Sequence, residues 1–181
     1  RTLDYARRRQ PEKRSHDLER VISNSLEMVT TMATREGVDL QREGLDSLRL
    51  EVDGPQLEQV LTNLLVNAIM ASPQGERVQV QLSRETREPP SGASGAREVA
   101  CVQVRDHGPG IPDEHLPVLF EPFFTTRAPG EGTGLGLPIA WEIVEGHGGW
   151  LEVETTPDQG TSMRVCLPLD PADSVTSDEP A

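Results

Sequence analysis

The 181-residue chain has few cysteines and no long apolar runs, and each shortage excludes a class of protein. No apolar stretch approaches the roughly 20 residues that a membrane-spanning helix needs, and no secretory signal segment is visible. Cys101 and Cys166 are 65 positions apart in the sequence, each in an apolar, strand-like run, so they do not have the sequence spacing of a metal site. We expect both to be reduced core thiols in a reducing compartment.

The chain also lacks an excess of positive charge. Its net charge of −13 argues against a nucleic-acid-binding protein, because such proteins present basic surfaces. The first 20 residues carry seven basic and four acidic side chains, whereas the remainder carries a net charge of −16. The chain opens on Arg1 and not on methionine. We therefore expect a part of a longer protein, with one domain of about 100–150 residues and a basic beginning that belongs to another structural unit.

Apolar side chains recur at helical spacing in two long segments. The first follows Asp17, a suitable N-cap, and ends at Gly37. The second follows Asp53 and covers about residues 55–70, with a proline in its first turn. Shorter helices are predicted at residues 112–119 and 135–145.

Strand-like runs complete the predicted architecture. Residues 85–97 are rich in proline, serine, glycine and charge, which indicates a flexible loop or a hairpin tip. The helices are too few, and the late strands too closely spaced, for a doubly wound parallel sheet. The pattern favours an α/β (α+β) two-layer sandwich, in which a mixed, mostly antiparallel sheet carries helices on one face. The strands are predicted at residues 38–41, 48–52, 78–82, 99–104, 150–154 and 162–167.

Two glycine-rich loops flank an aromatic segment between Asp106 and Ala140. Glycines let the backbone approach a phosphate closely, and the N–H groups at the start of the following helix point at it. Asp106 ends an apolar strand and can accept a hydrogen bond from an exocyclic amine such as that of adenine, whereas a phosphate would repel it. The stretch therefore predicts a base-reading residue and a phosphate-binding loop in one run.

Asn63 and Asn67 interrupt a leucine-rich helix and lie four residues apart, so they face the same way. They form either a polar helix face or a magnesium site. The second is possible because amide oxygens are hard ligands and protein-bound magnesium is often also coordinated by substrate phosphates. A single glycine motif is weak evidence for a site. The order of the motifs along the chain is what makes the pattern specific.

Taken in order, these motifs resemble the ATP-binding catalytic domain of bacterial sensor histidine kinases. That family shares a superfamily with gyrase, the large heat-shock chaperone and the MutL-type mismatch-repair protein. LEQVLTNLLVNAIMASP resembles the asparagine box, DHGPGIP the first glycine box, LFEPFFTTR the phenylalanine box and GEGTGLGLPIA the second glycine box. HGGWLEVET and QGTSMRVCLP resemble the closing strands. The resemblance implies a Bergerat-type ATP-binding fold and a cytoplasmic domain, within a parent protein that is membrane-anchored or soluble.

The resemblance also assigns residue roles. Asn63 and Asn67 would hold the magnesium, and Asp106 would bind the adenine amine. Phe120, Phe123 and Phe124 would anchor the base of a mobile lid at residues 125–133, in which Arg127 stands where the family often has lysine. His107 replaces a common asparagine, and His16, His115 and His147 are interpreted as surface or capping residues. The implied ATP-binding residues are Asn63, Asn67, Asp106, Gly108, Gly110, Ile111, Phe120, Phe124, Thr125, Thr126, Arg127, Gly132, Thr133, Gly134, Leu135, Gly136, Leu137 and Thr161.

The same resemblance divides the chain into three parts. Residues 1–16, with LDYARRRQP, would be the end of a dimerisation and phosphoacceptor helix with its linker. Residues 17–168 would be the catalytic domain, and residues 169–181 a disordered acidic tail. It implies transfer of the γ-phosphoryl group of Mg-ATP to a histidine on the preceding domain of a homodimer, and from there to an aspartate of a response regulator. The acceptor histidine would precede Arg1, so the chain alone should bind nucleotide and turn it over poorly.

Three alternatives remain at this point. An ATPase clamp of the gyrase or mismatch-repair type needs a glutamate four residues before Asn67 to activate water, and the chain has Asn63 there, which argues against efficient hydrolysis. A protein-serine kinase of the anti-sigma type shares the glycine boxes, but the phenylalanine box and the basic lead-in favour the histidine kinase. A nucleotide-binding scaffold domain without transfer is the third, although every expected motif is present.

Overall fold

The structure, a computed structural model, describes residues 10–90, 92, 95–128, 130 and 132–169. The helix end expected at residues 1–9 and the tail expected at 170–181 lie outside this range. In chain order the elements are β1 (Arg14–Asp17), α1 (Leu18–Glu36), β2 (Asp39–Gly44), β3 (Arg49–Val52), α2 (Gly54–Ala71), β4 (Arg77–Arg87), β5 (Arg97–Arg105), a 3-10 helix (Asp113–Val118), α3 (Gly136–Gly146), β6 (Trp150–Thr156) and β7 (Gly160–Pro168).

The main sheet has five strands in the order β2-β4-β5-β7-β6. β2 and β4 run parallel, and the other neighbours are antiparallel, which confirms the mixed, mostly antiparallel sheet. β1 and β3 form a separate antiparallel pair. β1 was not predicted, because its sequence, Arg-Ser-His-Asp, has no apolar alternation and forms a strand only through its pairing with β3.

Local capping determines where the two long helices begin. The Oδ1 atom of Asp17 accepts a hydrogen bond from the backbone N–H of Glu19 at 3.1 Å, and α1 ends at Gly37 in the left-handed region. The Oδ1 atom of Asp53 accepts from the N–H of Gln56 at 3.2 Å. Both predicted helix starts are confirmed, because each depends on residues within one turn.

The helices pack against one face of the sheet. Alternate strand residues such as Val80, Val102 and Val165 point into this main core, which also takes the apolar stripes of α1 and α2. The opposite face carries a smaller buried cluster of Val99, Cys101, Trp150 and Cys166. The cysteines are therefore buried free thiols, as expected, but they lie on the face of the sheet away from the helices.

The β4–β5 hairpin is longer than predicted. β4 continues to Arg87 and β5 begins at Arg97, so the connection is limited to residues 88–96. An ion pair of 2.6 Å between Arg84 and Glu98 joins the two strands, and these residues directly flank the stretch that was predicted to be a loop. Among the described residues, every helix is too short or too polar to serve as a bilayer span.

Candidate functional site

A cavity of about 450 Å³ opens between α2, the adjoining ends of β5 and β7, the start of α3 and the segment that joins β5 to α3. Asp106 lies at the sheet side of this cavity, and Asn63 and Asn67 lie on its α2 side. The cavity therefore brings together the asparagine pair and the two glycine loops, although Asn67 precedes Asp106 by 39 residues and Gly132 by 65 residues in the sequence.

Asp106 is held rigidly at the end of β5. Its Oδ1 atom accepts hydrogen bonds from the backbone N–H groups of Gly108 at 2.9 Å and of Thr161 at 3.1 Å. Its own N–H donates to the carbonyl of Thr161 at 2.9 Å. The residue is only 6% exposed, and this burial raises the pKa of its carboxyl group, against the opposing effect of the two N–H donors. Both donors occupy Oδ1, so Oδ2 remains as an acceptor for a ligand.

The first glycine loop closes tightly against the β6–β7 turn. Gly110 has a φ of +79°, and a Cβ atom there would lie 2.6 Å from the carbonyl oxygen of Thr156. The N–H of Ile111 donates to Oγ1 of Thr155 at 2.9 Å, and that hydroxyl lies 3.0 Å from Oγ1 of Thr161. The loop, β6 and β7 therefore form one wall of the cavity.

The two asparagines present amide oxygens to the cavity. Nδ2 of Asn63 donates to the carbonyl of Gly136 at 3.0 Å, which leaves its Oδ1 as the free acceptor of that amide. Oδ1 of Asn67 accepts from Nη2 of Arg127 at 3.0 Å, so this oxygen already attracts a positive charge. The donor chemistry of the pair suits a hard cation such as Mg²⁺.

The three phenylalanines differ in their surroundings. Phe124 lines the cavity and meets the ring of His115 edge-on at 5.4 Å between centroids, whereas Phe120 packs half-buried against the core. The expectation that the Phe123 side chain anchors the lid is wrong, because this ring is 71% exposed. Its backbone N–H instead donates to the carbonyl of Gly134 at 2.9 Å.

The second glycine loop leads directly into α3. The first N–H groups of α3 have no acceptor within the helix, as at any helix start. Among the described residues, no side chain caps them either. Thr133, Gly136 and Leu137 line the cavity at this point. An uncapped helix start that faces a cavity favours an anionic group there.

Most of the residues predicted for the site line the cavity, and three do not. Gly108 packs against Ala71, Phe120 packs half-buried against the core, and Leu135 is not part of the cavity lining. The predicted residues that line the cavity are Asn63, Asn67, Asp106, Gly110, Ile111, Phe124, Thr125, Thr126, Arg127, Gly132, Thr133, Gly134, Gly136, Leu137 and Thr161.

Several lining residues were missed by the sequence analysis. Met70 and Ala71 follow Asn67 by three and four residues, so helical spacing alone could have identified them. Val104 and Met163 are partners across β5 and β7, and only the register of the sheet brings them together. These four side chains supply part of the apolar lining that a flat aromatic base would contact.

Comparison with known proteins identifies the relatives of this domain. Residues 52–171 match the family model described as histidine kinase-, DNA gyrase B- and HSP90-like ATPase. The chain is 37% identical to the sensor histidine kinase ZraS of Escherichia coli K12 over 154 residues, which cover 84% of this chain and 30% of ZraS. The chain thus spans less than a third of that curated relative.

Two solved structures share the fold. The mycobacterial sensor histidine kinase MprB superposes with a TM-score of 0.71 at 29% identity, covering 86% of this chain and 97% of that one. The catalytic domain of histidine kinase ThkA gives a TM-score of 0.71 at 29% identity, covering 90% of this chain and 99% of that one. The chain therefore belongs to the family of histidine kinase-, DNA gyrase B- and HSP90-like ATPases, and its relatives within that family are sensor histidine kinases.

Proposed function

We propose that this domain binds Mg-ATP in the cavity and provides the γ-phosphoryl group to a histidine on another domain of the same homodimeric kinase. From there the group passes to an aspartate of a response regulator. The observation that carries this proposal is that Asp106, the Asn63–Asn67 pair and Gly136 at the uncapped start of α3 all line one cavity.

The adenine end of the site rests on Asp106. A buried carboxylate whose Oδ1 is fixed by two backbone donors leaves Oδ2 to accept from one exocyclic amine. Met70 and Met163 line the same cavity and suit the faces of an aromatic base. This arrangement favours adenine over guanine, because guanine carries a carbonyl oxygen where adenine carries its amine.

The phosphate end rests on α2, the lid and α3. Asn63 and Asn67 would hold the cation through their amide oxygens, and the N–H groups at the start of α3 would meet the phosphates. Mg²⁺ supplies charge neutralisation and fixes the orientation of the transferring group. In this scheme Arg127 leaves Asn67 and turns toward the terminal phosphate.

Catalysis in this domain would consist of positioning and charge stabilisation. ATPases of the clamp type activate water with a glutamate, and this chain has Asn63 at that position. Nδ2 of Asn63 donates a hydrogen bond to the carbonyl of Gly136, and an amide cannot act as a general base. The acceptor domain would therefore supply the nucleophile, and hydrolysis by the domain alone should be slow.

Calorimetric titration of the chain with ATP and ADP, with and without Mg²⁺, tests nucleotide binding. We expect both nucleotides to bind, and Mg²⁺ to tighten ATP. A folded chain that binds neither nucleotide would overturn the proposal and would also exclude a nucleotide-binding scaffold, which leaves a scaffold domain that has lost nucleotide binding.

Phosphotransfer is tested separately, by adding a histidine-containing dimerisation domain and labelled ATP. Acid-labile label on that domain supports a histidine kinase. Acid-stable label on a serine-containing partner would instead indicate the anti-sigma type of kinase, and rapid release of phosphate without any acceptor would indicate an ATPase clamp.

A further inference from the structure

Cys101 and Cys166 occupy a special position in the ladder between β5 and β7. The N–H of Asp106 donates to the carbonyl of Thr161, which marks those two residues as a hydrogen-bonded pair. Hydrogen-bonded pairs recur at every second residue of an antiparallel ladder. Cys101 lies five residues before Asp106 and Cys166 five residues after Thr161, so the cysteines face each other in a non-hydrogen-bonded pair.

This kind of pair brings side chains close together. Cα atoms in non-hydrogen-bonded pairs lie about 4.5 Å apart, which falls within the range of about 4.4–6.8 Å found across disulfides. The two Sγ atoms are 3.8 Å apart, so side-chain rotation with small adjustments of the strands can join them.

The thiols are shielded from bulk solvent. Cys101 is 1% exposed and Cys166 is 0% exposed, and both pack with Val99 and Trp150 on the face of the sheet away from the helices. A small oxidant can reach such sulfurs during brief opening of the cluster, whereas a bulky disulfide such as oxidised glutathione cannot align with them. The position therefore favours a bond between the two cysteines over an adduct with an external thiol.

The two thiols differ in reactivity. The two sulfurs lie in a hydrogen-bonding contact in which either S–H can donate, and the contact with Cys166 lowers the pKa of Cys101 against the opposing effect of burial. The charge of Glu85 also raises the pKa of Cys101, whereas the guanidinium groups of Arg87 and Arg164 lower it. The same contact together with burial raises the pKa of Cys166. Cys101 is thus the attacking thiolate and Cys166 the second partner.

We propose that Cys101 and Cys166 form a redox modification site, at which a hydroperoxide oxidises the pair to an intramolecular disulfide. The Cys101 thiolate attacks one peroxide oxygen, the O–O bond breaks, and hydroxide leaves and takes up a proton to give water. Cys101 is then a sulfenic acid. Cys166 loses its proton and attacks the Cys101 sulfur, the S–O bond breaks, and the departing hydroxide becomes a second water. Two thiols are oxidised, and one hydrogen peroxide molecule is reduced to two waters.

This inference is independent of the proposed nucleotide chemistry. The cysteines lie on the strands that carry Asp106 and Thr161, but their side chains point away from the cavity. The disulfide would close a long loop of chain between β5 and β7, so we expect the melting temperature to rise on oxidation. A failure of nucleotide binding would leave this expectation untouched.

The test is treatment of the reduced, folded 181-residue chain with hydrogen peroxide, followed by intact mass measurement and peptide mapping. We expect the mass to fall by two hydrogen atoms, the Cys101 and Cys166 peptides to be linked, and dithiothreitol to restore both thiols. The Cys101→Ser variant should instead leave Cys166 as a thiol, and Cys166→Ser should leave Cys101 as the sulfenic acid or a higher oxide.

Four outcomes would overturn the proposal. They are sulfinic or sulfonic acid at Cys101 beside a free Cys166 in the wild-type chain, a covalent dimer, a mixed disulfide with added oxidised glutathione, or thiols that react only in denaturant. Mapping of the wild-type chain decides between these and the expected product, even if a serine variant does not fold.

Discussion

At the scale of single residues, Asp106 has a carboxyl group whose charge opposes folding. Burial raises its pKa above the unfolded value, so the folded protein holds the proton more tightly. Its contribution to stability is therefore fully present below the unfolded pKa and is lost as the pH rises through the folded pKa. The charged form of the Asp106 carboxyl group therefore does not stabilise the fold, which is typical of a residue kept for binding.

The Asp106→Asn variant separates folding from binding. The amide oxygen can still accept from the N–H groups of Gly108 and Thr161, and the buried charge is removed, so we expect an equal or higher melting temperature. The amide nitrogen would oppose the adenine amine, and ATP affinity should fall roughly 10- to 100-fold, the effect of losing a hydrogen bond to a charged group. Calorimetry measures the affinity, with Asp113→Asn on the exposed 3-10 helix as the matched control. Unchanged ATP affinity in Asp106→Asn would remove the adenine-reading assignment.

Asn67 and Arg127 allow a test of the metal site. The guanidinium of Arg127 bonds the amide oxygen proposed as a magnesium ligand, so the two cations compete for it. We expect Asn67→Ala to lose the effect of Mg²⁺ on ADP affinity, and Arg127→Ala to show a larger effect than the wild type. ADP lacks the terminal phosphate, so its use separates this competition from any contact of Arg127 with that phosphate.

Titration with ADP at several Mg²⁺ concentrations measures how strongly Mg²⁺ raises the ADP affinity of the Asn67→Ala and Arg127→Ala variants. Arg105→Ala, at an exposed position, serves as the control for loss of positive charge. If Mg²⁺ tightens ADP equally in Asn67→Ala and the wild type, the cation binds elsewhere.

At the scale of elements, a backbone contact between Phe123 and Gly134 lies at the base of residues 125–133, the segment proposed as a lid. Gly134 has a φ of +66°, and a Cβ atom there would lie 2.5 Å from the carbonyl carbon of Phe123. Gly130 has a φ of +90° with open space around it. The two positions share the unfavourable left-handed conformation, but only Gly134 contacts Phe123 and lines the cavity, so Gly130 controls for the backbone conformation alone.

We expect Gly134→Ala to weaken ADP binding about tenfold or more, since steric overlap of this kind costs about 1–3 kcal/mol and displaces the base of the lid. Gly130→Ala should bear only the cost of the left-handed conformation, about 1–2 kcal/mol, within an exposed loop, and should leave affinity near that of the wild type. Calorimetry with a parallel melting curve measures both. Equal losses of affinity would show that backbone conformation matters and the contact with Phe123 does not.

His147 joins two helices at a second element boundary. Its Nε2 atom accepts from the N–H of Asp53 at the start of α2, at 3.0 Å, and its Nδ1–H donates to the carbonyl of Ile143 in α3, at 2.8 Å. The sequence analysis interpreted this histidine as a surface or capping residue; it does follow α3 directly, but it is buried. Burial lowers its pKa, with Lys13 acting in the same direction and the Ile143 carbonyl and Asp53 opposing.

Only neutral histidine can accept the bond from Asp53, which gives a pH prediction. Because the folded pKa lies below the unfolded one, the stabilisation is complete above about pH 6.5 and is lost as the pH falls through the folded value. We expect the free energy of unfolding to decrease by about 1 kcal/mol or more through this interaction between pH 7 and pH 5. Urea unfolding at each pH measures the free energy of unfolding. In His147→Gln this free energy should change less between pH 7 and pH 5 than in the wild type. Parallel slopes in the two proteins would contradict this role.

At the scale of the whole molecule, the five-stranded sheet separates the proposed nucleotide site from the cysteine pair. Its helix-covered face carries the cavity with Asp106 and Thr161, and its other face carries the thiol pair of Cys101 and Cys166. The same two strands, β5 and β7, serve both faces, because successive side chains of a strand alternate between them. The domain lies within a chain that spans less than a third of its curated relative, so the acceptor histidine is proposed to come from elsewhere in the full kinase.

Much of the fold and of the candidate site was predictable because the signals are local. Asp17 and Asp53 cap helices through partners two and three residues away, and Gly37 ends α1 through its own backbone conformation. The spacing of Asn63 and Asn67 places both on one helix face whatever surrounds the helix. The ordered motifs likewise identified the family without any knowledge of the sheet.

The sequence by itself therefore determined the starts of the two long helices, the class of fold and most of the residues that line the proposed nucleotide site. The tertiary structure alone decided that β1 pairs with β3, that Arg127 bonds Asn67, and that Cys101 faces Cys166. Each of these contacts joins residues separated by more than 30 positions in the chain. Periodicity and capping act within a few residues, whereas such pairings depend on strand register and helix packing, which form only when the whole core closes.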